Sequence, residues 1–192
     1  MLLVACAPAR SAAPSASRAN AVRGAADTVV LQQTDVPPGY DIETDDAMSA
    51  EELSGGLSVS SGILKERGAT GYVRSFKEPS TPFRCCLIDS ILITTFDQQT
   101  AIATFGDFRT SAIALGSTEV DLGETVGDDS RVLVFQQPTA DGDLVTITVL
   151  FRFINVVDAV EVTGRPGSFE RPYVLEFARK QLARLRADAE RT

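Results

Sequence analysis

The feature that most constrains the fold is a run of three predicted strands between Ser130 and Gly164. In the central strand every second residue from Val145 to Phe153 is Val, Ile or Phe, while the positions between them mix Leu with Thr and Arg. This period of two in β-branched and aromatic residues predicts a strand with one face on a core. The Asp141-Gly142 pair favours a hairpin turn, because Gly tolerates a positive φ. The three predicted strands of this meander are Arg131–Gln137, Leu144–Ile154 and Val157–Thr163.

Two longer segments have the period of a helix. The first is Asp97–Leu115, in which Asp97 can act as the N-cap and Gly116 as the C-terminal stop. The second is Phe169–Ala189. The predicted apolar stripe of the first helix is Ile102, Phe105, Phe108, Ala112 and Leu115, and that of the second is Tyr173, Val174, Phe177, Ala178, Leu182 and Leu185. Because both stripes need an apolar partner, we expect the helices to cover the sheet.

Shorter elements complete the predicted architecture. Ser49 and Glu52 have the spacing of a capping box, which predicts the start of a short helix. The Gly- and Ser-rich segment Ser54–Gly62 is expected to be a surface loop, with a lid as the alternative. Additional strands are predicted at Tyr40–Thr44, Gly68–Glu78, Cys85–Phe96 and Ser117–Leu122. The expected fold class is α+β, with an antiparallel sheet of about five to six strands packed against two main helices.

Composition excludes several kinds of chemistry. The chain has no His, which removes Ser-His-Asp and Cys-His catalytic arrangements and any His-ligated metal or haem site. Residues 27–170 carry 9 basic and 23 acidic side chains, and such an acidic body argues against nucleic-acid binding. No phosphate loop, GxGxxG or GxSxG motif occurs, so no cofactor and no catalytic residues are predicted. No apolar stretch reaches the length of a membrane-spanning helix.

Acidic residues cluster just before the predicted short helix. Asp41, Glu43, Asp45 and Asp46 could bind Ca²⁺ through oxygen atoms, but they lack the spacing of an EF-hand loop. A solvated acidic turn is the favoured interpretation, and no metal site is predicted.

The first six residues resemble the lipobox of bacterial lipoproteins. The tetrapeptide Leu3-Val4-Ala5-Cys6 ends on the cysteine that such proteins lipidate. Only five residues precede Cys6, which is shorter than the apolar core of a signal peptide, so a start assigned too far downstream is the favoured explanation. The alternative is a cytosolic protein with an apolar beginning. The resemblance implies an extracytoplasmic protein that is anchored to the cell membrane by a lipid on Cys6.

The predicted domain organisation follows from this start. Residues 1–6 are the truncated signal and lipobox. Residues 7–26 contain nine Ala with Pro, Ser and Arg and no periodicity, which predicts a flexible tether. Residues 27–192 form a single α+β domain.

Adjacent cysteines at positions 85 and 86 allow three interpretations. The favoured interpretation is that both are buried free thiols, which act as small apolar side chains. A disulfide between Cys85 and Cys86 would need a distorted peptide, because neighbours in a strand point to opposite faces. A redox or metal pair comes last, since thiolate chemistry usually uses a Cys-X-X-Cys spacing.

Asp89 is the acid that the pattern places inside a strand, beside Leu87 and Ile91. It could act as a base with a shifted pKa. An ion pair with a strand arginine, Arg74 or Arg152, is the favoured alternative.

Three fragments carry a resemblance to known exported domains: Asp35–Tyr40, Gly127–Ser130 and Phe151–Val157. With the order of the predicted elements, they resemble PsbP-like proteins and the extracytoplasmic sensor domains of mycobacterial Ser/Thr kinases. Those sensor domains are stapled by separated cysteines, which this chain lacks. The resemblance implies a non-catalytic role in binding a ligand or a protein partner.

The expected function is that of a membrane-anchored accessory or binding subunit of a cell-envelope assembly, which is not an enzyme. Its expected partners are the membrane, through the lipid, and an envelope protein. The alternatives are a carrier of a small ligand or lipid, with a pocket between sheet and helices, and a small enzyme of NTF2-like shape. That enzyme would use Asp89 or one of the tyrosines, Tyr40, Tyr72 or Tyr173.

Overall fold

The computed structural model describes residues 21–57, 59–78, 86–121 and 123–191. It confirms the predicted meander and the two long helices, with ends that differ by a few residues. The strands are β1 (Asp41–Met48), β2 (Thr70–Lys77), β3 (Leu87–Thr94), β4 (Thr118–Val120), β5 (Asp129–Gln137), β6 (Leu144–Phe153) and β7 (Val156–Gly164). The helices are α1 (Ala26–Val29), α2 (Ala50–Gly56), α3 (Ser61–Glu66), α4 (Gln98–Ala114) and α5 (Arg171–Arg191).

All seven strands belong to one antiparallel sheet in the order β1-β2-β3-β7-β6-β5-β4. The α+β class is therefore confirmed, but the expected five to six strands were too few. The predicted segments Tyr40–Thr44 and Ser117–Leu122 correspond to the two edge strands, but their weak patterns did not bring both into the predicted strand count. β1 is mostly exposed and acidic, and β4 has three residues, so neither carries the strong alternation that marks a half-buried strand.

The two faces of the sheet have separate apolar cores. On the first, which we call the α5 face, helix α5 packs on β6 and β7 through Val174, Phe177 and Leu185. On the second, the α4 face, helices α2 and α4 cover residues such as Leu150 and Ala159.

The α5 face is also covered by the chain that precedes β1. Val29, Leu31 and Val36 are buried in the same core as α5. Packing starts earlier than the predicted domain boundary, because Val22 is buried and its backbone N–H donates to Asn155 Oδ1 at 2.9 Å. Residues 22–26, the end of the predicted tether, therefore belong to the folded unit. Cys6 lies outside the described residues.

The capping predictions are confirmed. Ser49 and Glu52 form a capping box at α2, and Asp97 caps α4 through the backbone N–H of Thr100. The prediction of a loop over Ser54–Gly62 is wrong in part, since α2 extends to Gly56 and α3 begins at Ser61.

The predicted stripe of α4 is also wrong in part. Ile102 and Leu115 are 45% and 71% exposed, and the buried side chains of the helix are Ala101, Thr104, Phe105 and Ser111. The buried residues recur at three- and four-residue intervals, so the face of α4 that meets the sheet is turned away from Ile102.

Within the described ranges, no helix has both the length and the apolar composition needed to cross a bilayer.

Candidate functional site

A groove crosses the α4 face of the sheet between α2 and α4. Helix α2 contacts β1 and β2, whereas α4 contacts β5, β6 and β7. With strands about 4.8 Å apart, the centres of these contact regions are about 17 Å apart. Helices in contact pack at about 8 to 10 Å, so α2 and α4 do not lie directly against each other over the sheet. Leu64 of α3 is buried in the same core, and the cavity left between α2 and α4 has a volume of about 510 Å³.

The walls of this groove are mainly apolar. Leu53 and Leu57 come from α2, Phe108 and Ala112 from α4, and Ile91 from the sheet. The remaining lining residues are Met48, Glu52, Gly56, Ile93, Leu115, Ser117, Phe135, Thr146, Thr148 and Glu161. Such a mixture of apolar walls and a few polar groups is typical of small-molecule sites.

A carboxylate lies on the floor of the groove. Glu161 of β7 is partly buried, and the Thr148 hydroxyl donates a hydrogen bond to its Oε1 at 2.9 Å. Burial raises the pKa of Glu161 to about 7, and the nearby carboxylate of Asp89 adds to the rise, while the Thr148 bond opposes it. Glu161 is therefore divided between its neutral and charged forms near neutral pH.

Asp89 lies directly opposite Glu161, on β3. Burial raises the pKa of Asp89, the negative charge of Glu43 adds to the rise, and hydrogen bonding from Ser75 opposes it. Two acids on neighbouring strands, each with a raised pKa, make a local concentration of negative potential next to an apolar wall.

The expected ion pair of Asp89 with a strand arginine is wrong. Arg74 forms a two-pronged pair with Asp45, with Nε–Oδ1 at 2.7 Å and Nη2–Oδ2 at 3.0 Å. Arg152 pairs with Asp128 at 2.9 Å. Arg74 is on the opposite face of the sheet from Asp89, because Arg74 pairs in register with Ser90, one residue further along β3.

The tyrosines proposed for an enzyme lie away from the groove. Tyr72 donates to Asp45 Oδ1 at 2.7 Å. Burial raises the pKa of Tyr40 and that of Tyr173, and the two phenols interact with each other on the α5 face.

The acidic residues of β1 are partly paired, Glu43 with Lys77 and Asp45 with Arg74. In the described part of the chain, no group of three or more Cys, Asp or Glu side chains could hold a metal ion.

Asp158 is a second buried acid, on the α5 face. It is fully buried, and no described residue lies within hydrogen-bonding geometry of either carboxylate oxygen. Burial raises the pKa of Asp158 well above its ordinary value, and the nearby Gln181 side chain opposes this rise. Nε2 of Gln181 also donates to Val29 O at 2.8 Å. Asp158 therefore lies inside a closed core that favours its protonated form, with no cavity among those described beside it.

A larger and more polar cleft, of about 740 Å³, lies at the β4 edge. Both of its arginines are already paired, since Glu119 forms ion pairs with Arg109 and with Arg131. The groove of the α4 face is the stronger candidate site, because Glu161 has no such partner among the described residues and the walls are mainly apolar.

Cys86 is buried at the start of β3, and its sulfur takes part in a disulfide. This excludes the favoured free-thiol interpretation for Cys86. Cys85 lies outside the described residues, so its pairing with Cys86 stays a prediction.

Sequence reasoning missed Glu161 and Thr148. The available signal was the pair of acids in Val156–Thr163, a segment otherwise made of apolar residues and one Thr. Asp158 has an even position number and Glu161 an odd one. Because side chains alternate between the two faces along a strand, this alone places them on opposite faces of the sheet.

Neither a protein-family model nor a curated protein sequence matches this chain. Among solved structures, the extracellular domain of PknH from Mycobacterium tuberculosis is similar, with a TM-score of 0.57 and 9% sequence identity. The similarity covers 85% of this chain and 94% of that one. At this identity it shows a shared fold alone. The resemblance to extracytoplasmic sensor domains is confirmed at that level, and the resemblance to PsbP-like proteins is not.

Proposed function

We propose that this protein is an exported binding domain of the cell envelope that holds a small, mainly apolar ligand in the groove between α2 and α4. The observation that carries the proposal is the groove itself, with about 510 Å³ of space, apolar walls and a polar floor at Glu161 and Thr148. A domain that served only as a structural subunit would need no such opening through one of its two cores.

Export and anchoring are part of the proposal. The lipobox-like Leu3-Val4-Ala5-Cys6 supports them, and the fold shared with an extracellular domain is consistent with them. A Cys6→Ser variant, expressed in the native host, should move from the membrane fraction to the soluble fraction. Unchanged partitioning would contradict the lipid anchor and leave the groove proposal intact.

Binding in the groove is tested with N-phenyl-1-naphthylamine, an apolar probe whose fluorescence rises out of water. Gly56 ends α2, lines the groove and has no atom within 4 Å of a Cβ built on it. We therefore expect Gly56→Phe to fill the groove and to weaken probe binding at least tenfold.

The matched control is Gly55→Phe. Gly55 belongs to the same turn of α2, has equally open surroundings and does not line the groove. This variant should bind the probe like the wild type. Equal binding by both variants, or no binding by the wild type, would overturn the proposal.

A second candidate function is catalysis by Glu161, because a carboxyl group with a pKa of about 7 is suited to general acid–base chemistry at neutral pH. The two functions are distinguished by incubating the protein with the ligand that copurifies with it. If the ligand is unchanged after incubation, the result supports binding. If the wild type converts the ligand to a product and Glu161→Gln does not, the result supports catalysis.

A further inference from the structure

The floor of the groove contains an uncompensated acid, Glu161. Asp89, which does not line the cavity, is its register partner on β3, and neither acid forms an ion pair with a described residue. Among the described residues, the other titratable groups near them are negative or already paired. On β1 and β2, Glu43 and Lys77 pair with each other at 2.9 Å, and on α2, Glu52 caps its own helix. From α4 the groove receives Phe108, Ala112 and the following Leu115, none of which carries a charge.

The walls beside Glu161 are mainly apolar, from Leu53 and Leu57 on one side to Phe108 and Leu115 on the other. A ligand that satisfies both parts of the site must have an apolar body and a group that donates hydrogen bonds and carries positive charge. A carboxylate or a phosphate would meet like charge at the floor, and a hydrocarbon alone would leave both acids partly desolvated and unpaired.

We infer that the ligand of this groove is a cationic amphiphile, with a protonated amine over Glu161, where the neighbouring Asp89 adds negative potential, and an apolar body between Leu53 and Phe108. This inference rests on the proposed function, since it names the chemical class of the ligand for the same groove. The Thr148 hydroxyl, already directed at Glu161 Oε1, leaves Oε2 available for the ammonium group.

The inference predicts a pH dependence of definite sign. An alkylamine keeps its proton up to about pH 10, as lysine does. The Glu161 carboxyl, with a pKa of about 7, is mainly neutral at pH 5.5 and mainly charged at pH 8. Amine binding should therefore tighten as the pH rises over this range, and binding at neutral pH should release protons.

The experiment compares decylamine, decanol and decanoate, each below its critical micelle concentration, as competitors of N-phenyl-1-naphthylamine on the full chain. At pH 8 we expect decylamine to bind at least tenfold more tightly than decanol, and decanoate to bind least. At pH 5.5 the advantage of the amine should shrink to less than threefold. Glu161→Gln should remove that advantage at pH 8 and leave decanol binding unchanged, and Asp89→Asn should reduce it.

The control variant is Glu176→Gln. It removes one negative charge from the exposed side of α5, on the other face of the sheet, so it should leave the preference for the amine intact. A preference lost equally in Glu161→Gln and Glu176→Gln would reflect the net charge of −8 and would overturn the inference.

The outcomes separate the two proposals. Equal binding of the three compounds, or tightest binding of decanoate, overturns the cationic ligand while groove binding stands. If none of the compounds and no neutral probe binds the wild type, the proposed function itself fails.

Discussion

The two faces of the sheet enclose acids in opposite ways. On the α5 face, a 21-residue helix and the chain before β1 close the core completely, and Asp158 is sealed inside it. On the α4 face, two helices stand apart, and Glu161 lies on the floor of an open groove. Burial raises the pKa of both groups.

The difference teaches that a shifted pKa does not by itself mark a site. Asp158 has no access to solvent, so no ligand can use it. Glu161 faces a cavity, and access therefore decides which acid is a candidate for function.

The strongest way to break this comparison is to truncate one aromatic ring on each face. Phe177 is 1% exposed in the closed core, whereas Phe108 is only partly buried at the groove wall. Phe177→Ala should lower the free energy of unfolding by about 4 kcal/mol, and Phe108→Ala by about 1 kcal/mol, because the second ring leaves no closed cavity. Urea denaturation measures both. Equal losses would mean that the α4 face is closed in solution.

The second test removes the sealed acid. The pKa of Asp158 is raised in the folded protein, so the folded state keeps a proton that the unfolded chain releases. Stability should therefore fall as the pH rises from about 4, the ordinary pKa of Asp, towards the folded pKa. Asp158→Val, which replaces the buried carboxyl by an apolar side chain suited to a strand, should raise the free energy of unfolding by about 2 kcal/mol at pH 7.

At pH 4 the gain from Asp158→Val should be smaller, because the carboxyl in the unfolded chain is then still protonated in about half of the molecules. Urea denaturation at the two pH values provides the measurement. A variant less stable than the wild type at pH 7 would show that the carboxyl has a hydrogen-bond partner in solution.

The third test applies the same reasoning to the open face. The pKa of Glu161 rises from 4.5 to about 7 on folding. The contribution of its protonated carboxyl to the free energy of unfolding is therefore lost as the pH rises from about 4.5 to 7, and it does not change further above pH 7. Glu161→Gln should reduce the loss of stability over this range by roughly 1 to 2 kcal/mol, since the groove is partly solvated. The titration of the Glu161 carboxyl, followed by carbon-13 NMR, should have its midpoint near pH 7. A midpoint below pH 5 would remove the basis for a pH-dependent groove.

The smallest effect is expected at the edge of the groove. Ser49 caps α2, where its side chain accepts from the backbone N–H of Glu52. Ser49→Ala should cost about 0.5 to 1 kcal/mol. The loss should appear as faster hydrogen exchange in α2 and unchanged exchange in α5. The reason is that α2 forms one wall of the groove, whereas α5 packs on the other face of the sheet. A global loss of protection would show that the wall is not an independent unit.

Local patterns in the sequence predicted most of the fold. Alternation located the meander, capping residues located the starts of α2 and α4, and the stripe of α5 correctly named Val174 and Leu185 as buried. Each of these signals depends on neighbours within a few positions, so it survives without knowledge of the tertiary structure. The exposed strand β1 gave no such signal, and its predicted range was too short. The helix α3 gave no such signal either and was not predicted.

By itself, the sequence determined an antiparallel sheet, two long helices, an acid-rich body without histidine, and acids of opposite parity in β7. Only the tertiary structure decided that Arg74 serves Asp45 rather than Asp89, and that α2 and α4 leave a gap above Glu161. The reason is physical: side-chain direction along a strand is fixed by the backbone, whereas the partner of a charge and the spacing between two helices depend on contacts between segments far apart in the chain.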